Sequence, residues 1–415
     1  MHSSVLNWRV ILPLLVLAIV VALVGLWFLV FPTPSFPTPG GSHRIGTRLY
    51  SLTDKTRLEP FTAAPDDLRH LSVQLWYPAA KSEGVQPYIE QPAVLAAVAS
   101  RLHVPPVLLG RLESAPTHAV RGARPDGGGP YPVLFNPTGF SGFHAANLFW
   151  IEELVSRGYV VVTIDQPGTS AAASLADGTV LPEMDKAKFD RFMPLAMSQG
   201  SDATIELNGM PLVDGILPFL AANLSFVLDQ LPNIDPEITD ALDLSHVGVF
   251  GMSLGGYVGP EACRLDTRFK ACLAVDAGKS ATVAAEGLAQ PLMLISRDAE
   301  IMREERSKAG GWPEDEIGQT ISSQRALFDH NRGDAYYVTM NGMYHVNWTD
   351  APLWSPLVKW LGLAGPIDPY RGFAATNLCT VSFFDRYLKA ADTEDICAAG
   401  VQPGITKFEV RKADR

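Results

Sequence analysis

Val247-Gly248-Val249-Phe250-Gly251-Met252-Ser253-Leu254-Gly255-Gly256 decides the reading of this 415-residue chain. A β-prone apolar run ends in Gly-x-Ser-x-Gly and passes at once into helix-compatible residues. That strand–turn–helix context turns a serine into an exposed nucleophile. Gly251 and Gly255 lack the Cβ atoms that would clash where strand and helix cross, so Ser253 can occupy a strained turn. The N–H of Leu254, at the helix start, would point at an oxyanion developing beside Ser253.

A serine hydroxyl needs a base, and the base needs an acid that holds its tautomer. Of the nine histidines, only His330 and His345 follow Ser253. His330 stands in the hydrophilic Phe328-Asp-His-Asn-Arg-Gly333, which reads as surface. His345 lies just past an apolar strand, in Asn341-Gly-Met-Tyr-His-Val-Asn-Trp348, and is the expected base. Two acids compete: Asp276 ends the strand after the serine's strand, and Asp298 ends the next. Position within a βα fold favours Asp298. The second oxyanion donor should come from the loop Phe135-Asn-Pro-Thr-Gly-Phe-Ser-Gly142, where Gly139 permits a close turn and Phe140 supplies the N–H.

Outward from the site, strands and helices alternate. Leu71–Tyr77 reads as an antiparallel strand stopping at Pro78. Pro132–Phe135, Tyr159–Ile164, 247–250, Ala271–Val275, Pro291–Ile295 and, last, Ala335–Met340 read as buried strands. Leu148–Arg157 is a helix closed by Gly158. Asp214 can cap a helix whose apolar stripe runs from Leu217 to Leu231. Residues 168–210 are polar and broken by turns, as in a cap or lid. Alternating βα units imply a mostly parallel central sheet flanked by helices, and the order fits one α/β-hydrolase domain over residues 44–415.

Hydrophobic residues make up 47% of the chain and charged ones 19%, enough for a large core. The net charge of −11 comes without a basic run, which excludes a nucleic-acid partner. Val10–Phe31 carries no charge and is long enough to cross a bilayer. No small-residue cleavage site follows it, so residues 1–31 read as an uncleaved signal anchor, with a cleaved signal as the alternative. Arg9 favours a cytoplasmic N-terminus and places the body outside. Residues 32–43 read as a stiff proline-rich linker holding that body off the membrane. Cys263, Cys272, Cys379 and Cys397 show no zinc-ligand spacing. In an exported chain, Cys379–Cys397 is the expected disulfide, stapling the tail onto the last helix.

The chain resembles the platelet-activating-factor acetylhydrolase group of α/β hydrolases from about Arg48 to Leu388. The resemblance rests on ordered matches at Ser72-Val-Gln-Leu-Trp-Tyr-Pro78, Thr117-His-Ala-Val120, Gly129–Phe135, Leu224–Leu231 and the serine elbow. Further matches follow at Asp266–Ala271, Val275-Asp-Ala277, Gln290-Pro-Leu292, His345-Val-Asn347 and Phe384–Leu388. It implies Asp276 as the acid rather than Asp298. It also implies Leu254 and Phe140 as oxyanion donors, no metal or cofactor, and short or oxidised acyl esters as substrates, including the sn-2 esters of phospholipids. The chain departs from the family pattern at Asn136-Pro-Thr-Gly139, in place of Ser-His-Gly, and at Asp165-Gln166, in place of Asp-His or Glu-His. Polyester hydrolysis and acyl transfer would use the same triad. A catalytically dead scaffold used for binding is the non-enzymatic rival.

Overall fold

A computed structural model describes residues 8–62, 64, 66–175, 177–200, 204–213, 215–391, 397 and 404–413. Its strands are β1 (Arg44–Leu58), β2 (Leu68–Ala79), β3 (Ala119–Arg121), β4 (Tyr131–Pro137), β5 (Val160–Asp165), β6 (Ala172–Ser174) and β7 (Val180–Pro182). They continue with β8 (Ile205–Leu207), β9 (Met210–Leu212), β10 (Leu242–Met252), β11 (Phe269–Val275), β12 (Leu292–Ser296), β13 (Ala335–Met340) and β14 (Ile405–Arg411). The α-helices are α1 (Trp8–Val30), α2 (Pro92–Arg101), α3 (Gly110–Glu113), α4 (Leu148–Ser156), α5 (Lys186–Gln199), α6 (Ile216–Gln230) and α7 (Pro236–Thr239). After these come α8 (Leu254–Leu265), α9 (Ala281–Glu286), α10 (Ala299–Ala309), α11 (Glu314–His330), α12 (Pro356–Trp360) and α13 (Pro369–Leu388).

Ten strands form one sheet in the order β14-β13-β12-β11-β10-β4-β5-β2-β1-β3. The block from β13 to β5 is parallel, while β2 joins β5, β1 joins β2, and β14 joins β13 antiparallel. The central stretches of the parallel strands are mostly apolar because both faces are covered. Leu134, Phe250 and Met252 face a core shared with α4 and α13. Val133, Phe135, Val247 and Val249 face the opposite core, shared with α6, α8 and α11. Alternate residues of β4 and β10 thus feed opposite layers, as the period of two demands.

The chain reversals account for the differences from the sequence reading. The strand expected to stop at Pro78 continues to Ala79, because Pro78 pairs opposite Ile45 of β1. Ala335–Met340 is not the last strand: β14 pairs against it, its alternating Lys407, Glu409 and Arg411 having the look of a polar tail. The Asp214 cap lies outside the described residues, and Gly215 stands at the N-cap of α6. The expected cap region holds two small hairpins, β6–β7 and β8–β9, with α5 between them.

The proline-rich segment is not a free spacer. Phe36 is buried, with its ring 4.8 Å from that of Tyr88. Tyr370 Oη donates to Ser35 O at 2.8 Å, and the Gly40 and Gly41 N–H groups donate to Glu153 and Ser156. Proline stiffness was legible, but the apolar phenylalanine that docks the segment outweighs it. A disulfide joins Cys379 of α13 to Cys397, and Cys263 and Cys272 are buried free thiols.

Candidate active site

Ser253 sits between β10 and α8 with φ 54° and ψ −128°, a conformation that L side chains rarely adopt. The turn is held by Ser253 N donating to Val275 O at 3.0 Å and Gly256 N donating to Ser253 O at 2.8 Å. A Cβ on Gly255 would lie 2.2 Å from Pro137 O, and one on Gly251 would lie 2.7 Å from the Gly255 carbonyl. Only glycine permits that approach, which brings the loop after β4 against the serine. A Cβ on Gly139 would sit 3.4 Å from Ser253 Cβ.

Neither the Leu254 nor the Phe140 N–H has an acceptor among the described residues. Both belong to segments flanking Ser253, one opening α8 and one in the β4 loop. The β4 loop is tied down by its neighbour. Ser141 N donates to Thr169 O, Ala171 N donates to Gly142 O, and the Thr138 and Ser170 hydroxyls meet at 2.7 Å. Buried His144 and Asp165 add an Nδ1–Oδ2 contact of 2.6 Å across the same two loops. Asp165, where the chain departs from the family pattern, therefore holds this loop through His144, while the neighbouring Gln166 Oε1 accepts from Asn223 of α6 at 2.6 Å.

Asp276 follows β11 with φ 44° and is fully buried. Its Oδ2 lies 2.7 Å from His345 Nδ1, and its Oδ1 accepts from Arg297 Nε at 3.1 Å. Burial pushes the carboxyl pKa up, but the Arg297 charge and the His345 hydrogen bond outweigh it, and the net shift is downward. An ionised Asp276 makes Nδ1 the protonated ring nitrogen, leaving Nε2 as the free acceptor. Asp298 is exposed at the N-cap of α10 and makes no hydrogen bond to His345 among the described residues. His330 ends α11 on the surface, its Nδ1 2.8 Å from Ala284 O. The structure thus joins His345 to Asp276. Ser253 Oγ has no hydrogen-bond partner within 3.5 Å among the described residues, a separation common before substrate binds.

Several supporting groups had no signal in the sequence. Arg297 bridges Asp276 to Glu305, whose other oxygen accepts the His345 N–H at 3.3 Å. The ring Asp276–Arg297–Glu305–His345 closes around the carboxylate–imidazole pair. Lys279 Nζ donates to Gly256 O at 2.8 Å and Ala277 O at 2.9 Å, tying α8 to the loop after β11. Burial without a direct carboxylate partner lowers its pKa to about 7. Trp312 stands edge-on to His345 with centroids 5.2 Å apart. On the other side, Phe140 stacks on Phe189 of α5 at 4.0 Å, so α5 leans on the loop carrying one free N–H.

Fold and site together can be set beside known proteins. A solved ferulic acid esterase from Streptomyces cinnamoneus is similar over 86% of this chain and 94% of its own, with 25% sequence identity and a TM-score of 0.66. The class of fold is thereby defined: the chain has the α/β-hydrolase fold and is similar to a solved esterase. More particularly, residues 225–401 match the family model for platelet-activating factor acetylhydrolase, isoform II. No curated protein matches the chain.

Proposed function

We propose that the protein hydrolyses short-chain acyl esters, including short sn-2 acyl groups of phospholipids, through an acyl-enzyme on Ser253. Substrate binding draws Ser253 Oγ to His345 Nε2, which takes its proton as the oxygen attacks the ester carbonyl. The imidazolium so formed is held by Asp276, already ionised and anchored by Arg297. The N–H groups of Leu254 and Phe140 receive the oxyanion. His345 then protonates the departing alcohol. A water, deprotonated by the same ring, releases the acid and restores Ser253. The observation that carries this reading is the 2.7 Å His345–Asp276 hydrogen bond next to a serine held at positive φ.

The apolar helix α1 serves in this reading as a signal anchor, with residues 44–415 the catalytic body outside the cytoplasm and 168–210 its cap. The Cys379–Cys397 disulfide supports an oxidising compartment.

Trp312 beside His345 and the Phe140–Phe189 stack favour a second reading, an ester with an aromatic acyl group. The similar solved structure is that of a ferulic acid esterase. A panel of p-nitrophenyl acetate, 2-acetyl phospholipid, methyl ferulate and polyester film tests both. The first reading expects turnover of the two acetyl esters above the rest. Preference for methyl ferulate by tenfold in kcat/KM would replace it with the second.

A further inference from the structure

The docked proline-rich segment changes what the N-terminal helix can do to the body. Resting on the reading of α1 as a membrane span, we infer that the catalytic body lies against the bilayer surface. The contact face is the apolar rim around the helix exit, formed by Leu102, Val107, Trp360 and Leu361.

Val10–Val30 is a continuous apolar run of 21 residues, uncovered by the rest of the protein. At a 1.5 Å rise it is about 31 Å long, close to the roughly 30 Å hydrocarbon core. Its last residue would therefore mark the headgroup boundary. No slack follows. Ser355 Oγ donates to Val30 O at 2.5 Å, and Phe31 packs against the body's core. The Arg111 guanidinium lies over the Phe28 ring at 4.5 Å and donates to Thr33 Oγ1 at 3.0 Å. Ser355 and Arg111 thus sit at the level where the helix ends, and the segments carrying them flank it.

Both segments expose apolar side chains. Ser355 caps α12, at whose end Trp360 is 79% and Leu361 51% exposed. Arg111 lies four positions beyond Val107, which is 73% exposed, and Leu102 precedes it at 45%. Exposed Lys359 and Arg101 stand beside these apolar groups. Tryptophan with neighbouring cations is the composition of an interfacial belt, the ring among the headgroups and the ammonium near phosphate. Water is a poor solvent for this rim, and the geometry holds it beside the one described unbroken helix long and apolar enough to cross a bilayer. The committed occupant is the bilayer carrying α1, rather than a second copy of the chain.

Full-length protein in nanodiscs of phosphatidylcholine and phosphatidylglycerol tests this. Single cysteines replacing Trp360, Val107, Val20 or Lys270 carry an environment-sensitive fluorophore, and lipids carry a nitroxide in the headgroup or deep in the chain. Headgroup nitroxide should quench the labels at 360 and 107 at least twofold more than the label at exposed position 270, with deep nitroxide quenching position 20. Quenching at 20 with none at 360 and 107 would overturn the apposed body and leave the spanning helix standing. No quenching at 20 would remove the spanning helix itself, and this proposal with it. Self-quenching between labels at 360 in lipid-free detergent would assign the rim to a second copy and overturn the proposal.

Discussion

Arg297 and Asp276 form a buried ion pair, Nε to Oδ1 at 3.1 Å, on the carboxylate whose other oxygen meets His345. The acid is therefore held from two sides, and its charge is balanced before any proton moves. Burial alone would raise its pKa; the guanidinium reverses the sign.

Removing that cation has a defined pH signature. In Arg297→Met, burial of Asp276 is opposed by His345 alone, so the carboxyl pKa rises. The proposed reaction needs Asp276 ionised, so activity should be lost as pH falls through its pKa. The acid limb of kcat/KM should therefore move to higher pH, with the alkaline limb in place. Arg297→Lys, which keeps the charge, should restore much of the shift. An unmoved acid limb in Arg297→Met would mean the arginine only fills space.

The two carboxylates that end neighbouring strands should behave differently. Asp276→Asn loses the charge that fixes the His345 tautomer and should cut kcat on the order of 10⁴-fold. Asp298→Asn, altered at an exposed N-cap, should stay within about twofold of the parent. A crippled Asp298→Asn beside an active Asp276→Asn would reverse the assignment.

Local surroundings predict opposite effects for two glycines, one crowded at the elbow and one open in α11. A Cβ at position 255 would meet Pro137 O at 2.2 Å, so Gly255→Ala should destabilise by about 3 kcal/mol. Gly318 lies inside α11 with nothing within 4 Å, so Gly318→Ala should stabilise by about 0.5–1 kcal/mol. Urea midpoints of the two variants moving in the same direction would contradict this.

Phe189 supports the loop that carries Phe140 through a 4.0 Å stack. Such a pair contributes about 0.5–1.5 kcal/mol, so Phe189→Ala should lower kcat about three- to tenfold, and Phe189→Leu less. If KM rises while kcat is unchanged, α5 acts on substrate binding and not on the oxyanion loop.

The legible parts of this protein are those where local sequence dictates geometry. The Gly-x-Ser-x-Gly turn, the apolar parallel strands and the free N–H at a helix start follow from sterics over a few residues. The choice between Asp276 and Asp298 does not, because both end strands at the same edge of the sheet; only the side-chain contact to His345 separates them. Arg297 and Glu305 were invisible because their role depends on two elements meeting, β12 and α10. His144 pairs with Asp165 from a loop 21 positions away, which no spacing rule anticipates. The docking of the proline-rich segment is of the same kind: composition reports stiffness, while docking depends on the surface that Phe36 finds.

The most direct measurement is covalent labelling by a fluorophosphonate, read by peptide mass mapping, alongside p-nitrophenyl acetate hydrolysis by Ser253→Ala. The account predicts one adduct on the Ser253 peptide, no adduct in Ser253→Ala, and a loss of turnover of at least about 10³-fold in that variant. A Ser253→Ala protein that still labels and turns over at the parent rate would contradict it.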